Sequence, residues 1–298
     1  MAETTRNTQG AGSAAGAPAA EPGQGTGAGW TSAHLEARRG DWSLPLGDGD
    51  RRLLWEDATA GRWDAADGVR ARLRAFIEGS LDAVGFAHVA NLMDPAAPDT
   101  ELVDAFSFFL RELGEIIPQN AAGDLTQVLR DREGDGATEL GFHADTCDLL
   151  VLLCLQPAAD GGGFTKLASA GRVHDIVAHE RPDALALLKE HWRFDRTGRA
   201  GQQIIHSPIL FTQDDGTVGC YYQTRTVRAS AQLDEPHLAA LDHLDDVLYR
   251  PEIAFRLRLG AGDLLVIRNS RVLHGRSPYV DEPGPRSRRV LRVWMNTP

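Results

Sequence analysis

The chain of 298 residues is 42% hydrophobic and 24% charged, the ordinary range of a folded protein with a sizeable core. Its 31 Lys and Arg against 42 Asp and Glu leave a net charge of −11, which argues against nucleic acid or an anionic membrane as the main partner. Cys147, Cys154 and Cys220 are odd in number and form no CxxC pair, so neither a disulfide framework nor a zinc ribbon is expected, and a reducing, cytoplasmic location fits.

Residues 1–29 hold seven Gly and eight Ala and no apolar run of signal-peptide or membrane-span length. Such a segment reads as a disordered tail, and residues 30–298 as a single domain. The stretch from Trp30 to Trp63 sets tryptophans among charged and turn residues and gives no clear element. Val69, Leu73, Phe76 and Ile77 have helical spacing. Gly85–Val89 reads as a short strand. A second helix is expected from a cap near Asp99-Thr100, with Leu102, Phe106, Phe109, Leu110 and Leu113 on one side. A helical part of about 64–116 thus precedes a β-rich core of about 117–298.

In that core, Leu149–Leu155 (LLVLLCL) has the continuous apolar run of a strand buried on both faces. Ile253, Phe255, Leu257 and Leu259 alternate with Ala254, Arg256 and Arg258, the period of a strand with one buried face. Leu264–Ile267 and Arg288–Met295 are further strands. Helical insertions are expected at Pro182–Trp192 and Glu235–Leu248, the latter packing through Leu238, Leu241, Leu244 and Leu248. Helices first and many unevenly spaced strands after them point to a β-sandwich or barrel with helical buttresses.

His143-Ala144-Asp145 places an imidazole and a carboxylate two residues apart, on one face of a strand, where both can reach one metal. An H-x-[DE] pattern alone says little in a chain with ten histidines; His34-Leu35-Glu36 and His243-Leu244-Asp245 match it too. His143 has the better context, at the mouth of the apolar strand and ahead of the turn Asp160-Gly161-Gly162-Gly163. His274 follows the Leu264–Ile267 strand within N-S-R-V-L-H-G-R and is either a turn histidine or the third ligand of a facial triad. On the last strand Arg288, Val290, Arg292 and Trp294 share one face. Two arginines there mean either a solvated basic edge or a site for anions such as a dicarboxylate.

The ordered set L-G-F-H-A-D, G-G-F-T, N-S-R-V-L-H-G-R and R-R-V-L-R-V-W resembles the taurine-dioxygenase-like and clavaminate-synthase-like 2-oxoglutarate oxygenases over roughly residues 112–298. The gaps of 131 residues from His143 to His274 and of 14 from His274 to Arg288 suit that family. The resemblance implies a mainly β fold with flanking helices around a double-stranded β-helix, or jelly-roll, core. It implies Fe(II) on His143, Asp145 and His274, with 2-oxoglutarate and O2 as co-substrates. The distal carboxylate of 2-oxoglutarate would meet Arg288 and Thr165, with Arg289 as the alternative should the register slip by one.

Arg292 is where relatives often hold an anionic group of a small-molecule substrate, so no nucleic acid or membrane is needed. Because Asp145 fills the position that halogenating relatives leave small, hydroxylation or another oxidation of an amino acid or natural-product intermediate is implied, with desaturation or cyclisation as variants. The family's usual substrate-side residues between G-G-F-T and His274 are not recognisable. Gln119 reads either as a residue bordering the cleft or as part of a plain turn between helix and strand, and the run Tyr221, Gln223 and Arg225 reads as one face of an aromatic-polar strand that either touches substrate or packs. A non-catalytic jelly-roll binding module and a zinc hydrolase are the competing readings of the same residues.

Overall fold

The computed structural model describes residues 29–59, 68–94, 97, 106–107, 109–130, 138–195, 204–229, 233–281, 284 and 287–297. The Gly/Ala tail and the helix start at Asp99–Leu102 lie outside them. Among the described residues two main sheets face each other. The larger runs in the order β1 (Ser43–Pro45), β2 (Phe86–Ala90), β13 (Leu264–Arg268), β6 (Leu149–Gln156), β15 (Arg289–Asn296) and β3 (Glu115–Ile117), with β4 (Thr126–Leu129) also paired to β15. The smaller runs β12 (Phe255–Leu257), β7 (Thr165–Ser169), β14 (Val272–Arg276), β5 (Leu140–His143). Two hairpins, β8–β9 (Trp192–Asp195, Ile204–Ser207) and β10–β11 (Leu210–Thr212, Val218–Cys220), complete the strands. This is the jelly-roll core with helical buttresses.

The alternation of side chains assigns each strand's two faces. Leu150, Leu152, Cys154, Val290 and Trp294 of the large sheet meet Leu167, Leu257 and Val272 of the small one in the sandwich interior. The opposite faces of β6 and β15, with Val151, Leu153, Leu291 and Val293, bury against the helix Gly68–Ala83 and against Phe106, Phe109, Leu110 and Leu113. On the far side, the helices Ala170–Glu180, Pro182–Leu188 and Glu235–Leu248 cover the small sheet. β6 and β15 are apolar on both faces because each has a layer above and below it.

Of the Trp30–Trp63 stretch, unreadable in sequence, residues 60–63 lie outside the described ones, and Trp30 and Trp42 pack into the sandwich interior. The Trp30 and Trp42 rings stand 5.7 and 5.4 Å from the Phe86 ring, and their indole N–H groups donate to the carbonyls of Val84 and Leu35. Within the part of about 64–116 expected to be mainly helical, the expected Gly85–Val89 strand forms as β2, and β3 begins at its end; β1 joins the large sheet from the stretch before it. The insertion expected over Pro182–Trp192 is shorter: the helix ends at Leu188 and Trp192 opens β8, while a helix over Ala170–Glu180 precedes it, capped by Ser169. In the helix Glu235–Leu248, Leu241, Leu244 and Leu248 are buried but Leu238 is exposed, on the solvent side of the turn. Among the described residues no helix is long and apolar enough to cross a membrane.

Trp42 is 2% exposed and touches Phe86, His88 and Phe255, so its removal leaves a void the sheets cannot close. Trp42→Ala should destabilise the protein by roughly 3–5 kcal/mol, read from denaturant unfolding midpoints; a change under about 1 kcal/mol would show that this part of the sandwich is not part of the cooperative core.

Candidate metal centre

β5 and β14 are neighbours, and His143 lies directly opposite His274 in their ladder. Cross-strand partners point to the same face, and His274 also pairs with Leu167, which is interior. Both imidazoles therefore enter the sandwich, with ring centroids 4.2 Å apart. Asp145 follows β5 just outside the ladder and turns its carboxylate to them: Oδ1 is 3.9 Å from His143 Nε2 and Oδ2 3.8 Å from His274 Nε2. These separations are too long for hydrogen bonds. Ligand atoms of all three residues lie within 4.8 Å of one another, the one such His/Cys/Asp/Glu group among the described residues.

The electrostatics prepare these groups to be ligands. Burial and the adjacent His143 push the His274 pKa from 6.5 down to about 3, so its imidazole is neutral at pH 7 and offers a lone pair. Burial would raise the Asp145 pKa, but His274, His143, Arg292 and the Trp294 hydrogen bond together hold it below the ordinary value. The His143 ring is oriented by its Nδ1, 2.9 Å from the Gly141 carbonyl, which leaves Nε2 for the centre. An ionised carboxylate and two imidazoles meeting in a largely buried pocket fit a divalent iron with open positions.

Asp145 is fixed by Trp294, Asn269 and, through Ala144, Gln223. Trp294 Nε1 donates to its Oδ2 at 3.0 Å. Asn269 clamps its main chain from both sides, accepting from the Asp145 N–H at 2.9 Å and donating to its carbonyl at 2.5 Å. Gln223 holds the Ala144 carbonyl in the same way at 3.1 Å. These amides replace the ladder that Asp145 has left. The N-S-R-V-L-H-G-R run contains Asn269, but the contact spans 124 residues and shows only in three dimensions.

Arg292 projects from β15 beside the cluster, Nη1 3.9 Å from Asp145 Oδ2. Gln119 and Gln127 each accept one hydrogen bond from its guanidinium, at 2.8 and 2.7 Å; Gln119 is thus a buried support rather than a free turn residue. Further along the interior, Thr165 pairs with Leu257 and is 4% exposed, and Arg288 is 7% exposed just before β15 begins. Arg289 is less buried than Arg288. Among the described residues no hydrogen bond or ion pair reaches the Arg288 guanidinium, which rests 5.2 Å from the Tyr279 ring. Gly163, at φ +68°, makes room for it: a Cβ there would come within 3.0 Å of Arg288 Nε.

The expected strand face of Tyr221, Gln223 and Arg225 does not form. The ladder ends at Cys220, Tyr222 takes the buried place with its hydroxyl on Asp245, and a helix starts at Thr224, tied by Arg228 to Asp242 and Asp245. Arg225 is exposed on that helix, away from the strand face assigned to it. Tyr221 does border a cleft of about 200 Å³ with Asp145, Thr146, Phe211 and Ser270. The two other H-x-[DE] matches both lie in helices, where residues two apart diverge.

The model of the family described as taurine catabolism dioxygenase TauD, TfdA family matches residues 59–294. The chain belongs to the TauD/TfdA family. FR-33289 synthase of Streptomyces rubellomurinus (strain ATCC 31215) is 29% identical over 206 residues, which span 62% of this chain and 60% of that protein. Uridine-5'-phosphate dioxygenase of an Amycolatopsis species is 27% identical over 246 residues, 74% of this chain and 89% of that one. A crystal structure of asparagine oxygenase with Fe(II), 2S,3S-3-hydroxyasparagine and succinate superposes with a TM-score of 0.65 at 18% identity, covering 85% of this chain and 93% of the other. The last likeness speaks to fold.

Two outcomes follow from the centre's geometry. Asn269→Ala should weaken anaerobic Fe(II) binding by roughly 10–100-fold; an unchanged affinity by calorimetry would show that the clamp has no bearing on Asp145. For metal-free protein, an unfolded chain protonates His274 near pH 6.5 and the folded chain only near pH 3, so stability must fall as pH drops through that window. Urea unfolding of His274→Gln, which cannot take the proton, should show a shallower loss from pH 6.5 downward than wild type.

Proposed function

We propose that this chain is an Fe(II)- and 2-oxoglutarate-dependent dioxygenase that hydroxylates an unactivated C–H bond of a small polar molecule, an amino acid or a natural-product intermediate. Iron would be held by His143, Asp145 and His274, and the distal carboxylate of 2-oxoglutarate by Arg288 with the hydroxyl of Thr165. The observation that carries the reading is the pairing of a buried two-histidine, one-carboxylate cluster with a buried guanidinium that has no anion of its own among the described residues. A buried cation without a counter-charge is costly, and a dicarboxylate bound between iron and Arg288 supplies the missing charge in a two-point fork. Family membership and the iron- and succinate-bound asparagine oxygenase support the same assignment.

When bound, the iron and its co-substrates supply the oxidising power for C–H cleavage, with succinate and CO2 released. The protein's part is placement. His143 and His274 come from adjacent strands, so their separation is set by the ladder. Trp294 and Asn269 fix the Asp145 carboxylate and main chain. Leu152, Cys154, Val290 and Leu265 belong to the apolar interior of the sandwich, a low-dielectric surround that strengthens the charge interactions within it. Arg292, steadied by Gln119 and Gln127, is assigned to an anionic or carbonyl group of the substrate, and Tyr221 to the wall of the adjoining cleft. The exposed Arg225 receives no such role.

Fe(II)-loaded protein exposed to oxygen should convert 2-oxoglutarate to succinate slowly even without substrate. Arg288→Ala should raise the 2-oxoglutarate concentration required by roughly 30-fold or more, and Asp145→Ala should abolish the reaction. Succinate formation that is indifferent to Arg288→Ala would remove the co-substrate assignment, and none at all from iron-loaded wild type would favour a binding module.

A further inference from the structure

Beside Arg288 lies a second buried polar group without a hydrogen-bond partner among the described residues. Tyr279 is 4% exposed, yet among the described residues no hydrogen bond reaches its hydroxyl oxygen. Its ring is in contact with two guanidinium groups, Arg276 Cζ at 4.8 Å and Arg288 Cζ at 5.2 Å from the centroid. The segment that carries it cannot swing freely. On one side the Pro278 carbonyl accepts from the Gly163 N–H at 3.2 Å, and on the other the Val280 N–H donates to Asp160 Oδ2 at 2.8 Å. Asp160 Oδ1 in turn accepts from the Gly162 N–H at 2.8 Å. Tyr279 is therefore pinned onto the same glycine turn whose Gly163 makes room for Arg288.

A phenol buried without an acceptor is as unusual as a guanidinium buried without an anion, and here the two adjoin. One ligand satisfies both: a carboxylate has lone pairs for the guanidinium fork and for an additional O–H donor. The cation–π contacts help hold the ring in place.

We propose that Tyr279 is a further co-substrate-binding residue, its hydroxyl donating a hydrogen bond to the distal carboxylate that Arg288 pairs with. The proposal rests on the assignment of Arg288 to 2-oxoglutarate. One protein group competes for the phenol. Asp281 accepts from the Arg288 N–H through Oδ1 at 2.7 Å, while its own Oδ2 is buried without a hydrogen-bond partner among the described residues. If the hydroxyl served Asp281 instead, it would hold the loop together whether or not co-substrate is present.

The test is anaerobic calorimetry of 2-oxoglutarate binding to Fe(II)-loaded wild type and Tyr279→Phe, with unfolding midpoints of both proteins without ligand. Tyr279→Phe should weaken 2-oxoglutarate binding about tenfold or more, while Fe(II) affinity and the ligand-free midpoint stay as in wild type. 2-Oxobutyrate, which lacks the distal carboxylate, should bind the two proteins alike. A lowered ligand-free midpoint with unchanged 2-oxoglutarate affinity would overturn the proposal in favour of the Asp281 contact. Equal weakening for both keto acids would also overturn it, because the loss would not concern the distal carboxylate. Wild type that binds Fe(II) but no 2-oxoglutarate would instead overturn the assignment of Arg288 and the Tyr279 proposal along with it.

Discussion

A carboxylate buried between two imidazoles, with neither close enough to hydrogen-bond to it, is the constraint on which this molecule turns. Asp145 has left the β5 ladder, so its position depends on Asn269, Trp294 and, through Ala144, Gln223. Each of these belongs to a different part of the chain. Asn269 lies in the turn that leads into the His274 strand, Trp294 in the last strand, and Gln223 next to His143 across an isolated bridge. The parts that present His143, Asp145 and His274 are thereby fastened to one another, and a shift at any of them is felt at the cluster. Outer partners that orient a ligand in this way commonly matter nearly as much as the ligand.

The last strand ties the chemistry to the fold. On one face β15 continues the core of the large sheet through Leu291, Val293 and Met295. The other face turns Val290, Arg292 and Trp294 inward, and Arg288 stands immediately before its first residue. One extended segment therefore holds the carboxylate of Asp145, the guanidinium beside it and the guanidinium assigned to the co-substrate. The hydrophobic layers outside both sheets are what allow these polar groups to stay buried, since a dry and rigid surround strengthens each charge interaction inside it.

Much of this was legible in the sequence, and the reason is periodicity. β6 and β15 are flanked by layers on both sides, so their apolar runs announced them. The two-residue spacing of His143 and Asp145 and the alternation of Arg288 with Arg292 named the polar groups of the interior. What could not be read depends on contacts between distant segments. Trp30 and Trp42 sit among charged residues and become core only by packing into the sandwich interior against Phe86. The Tyr221–Arg225 run alternates like a strand, but the burial of Tyr222 and the ion pairs of Arg228 turn it into a helix. Asn269, Gln127 and Tyr279 carry no local pattern: their significance lies in what they face.

The most direct test of the central claim is an anaerobic titration of metal-free protein with Fe(II) and then 2-oxoglutarate, followed in the visible region. Chelation of iron by the keto acid at the His143, Asp145 and His274 cluster predicts a weak metal-to-ligand charge-transfer band that requires both additions. A folded, iron-loaded protein that develops no such band at saturating 2-oxoglutarate would contradict it.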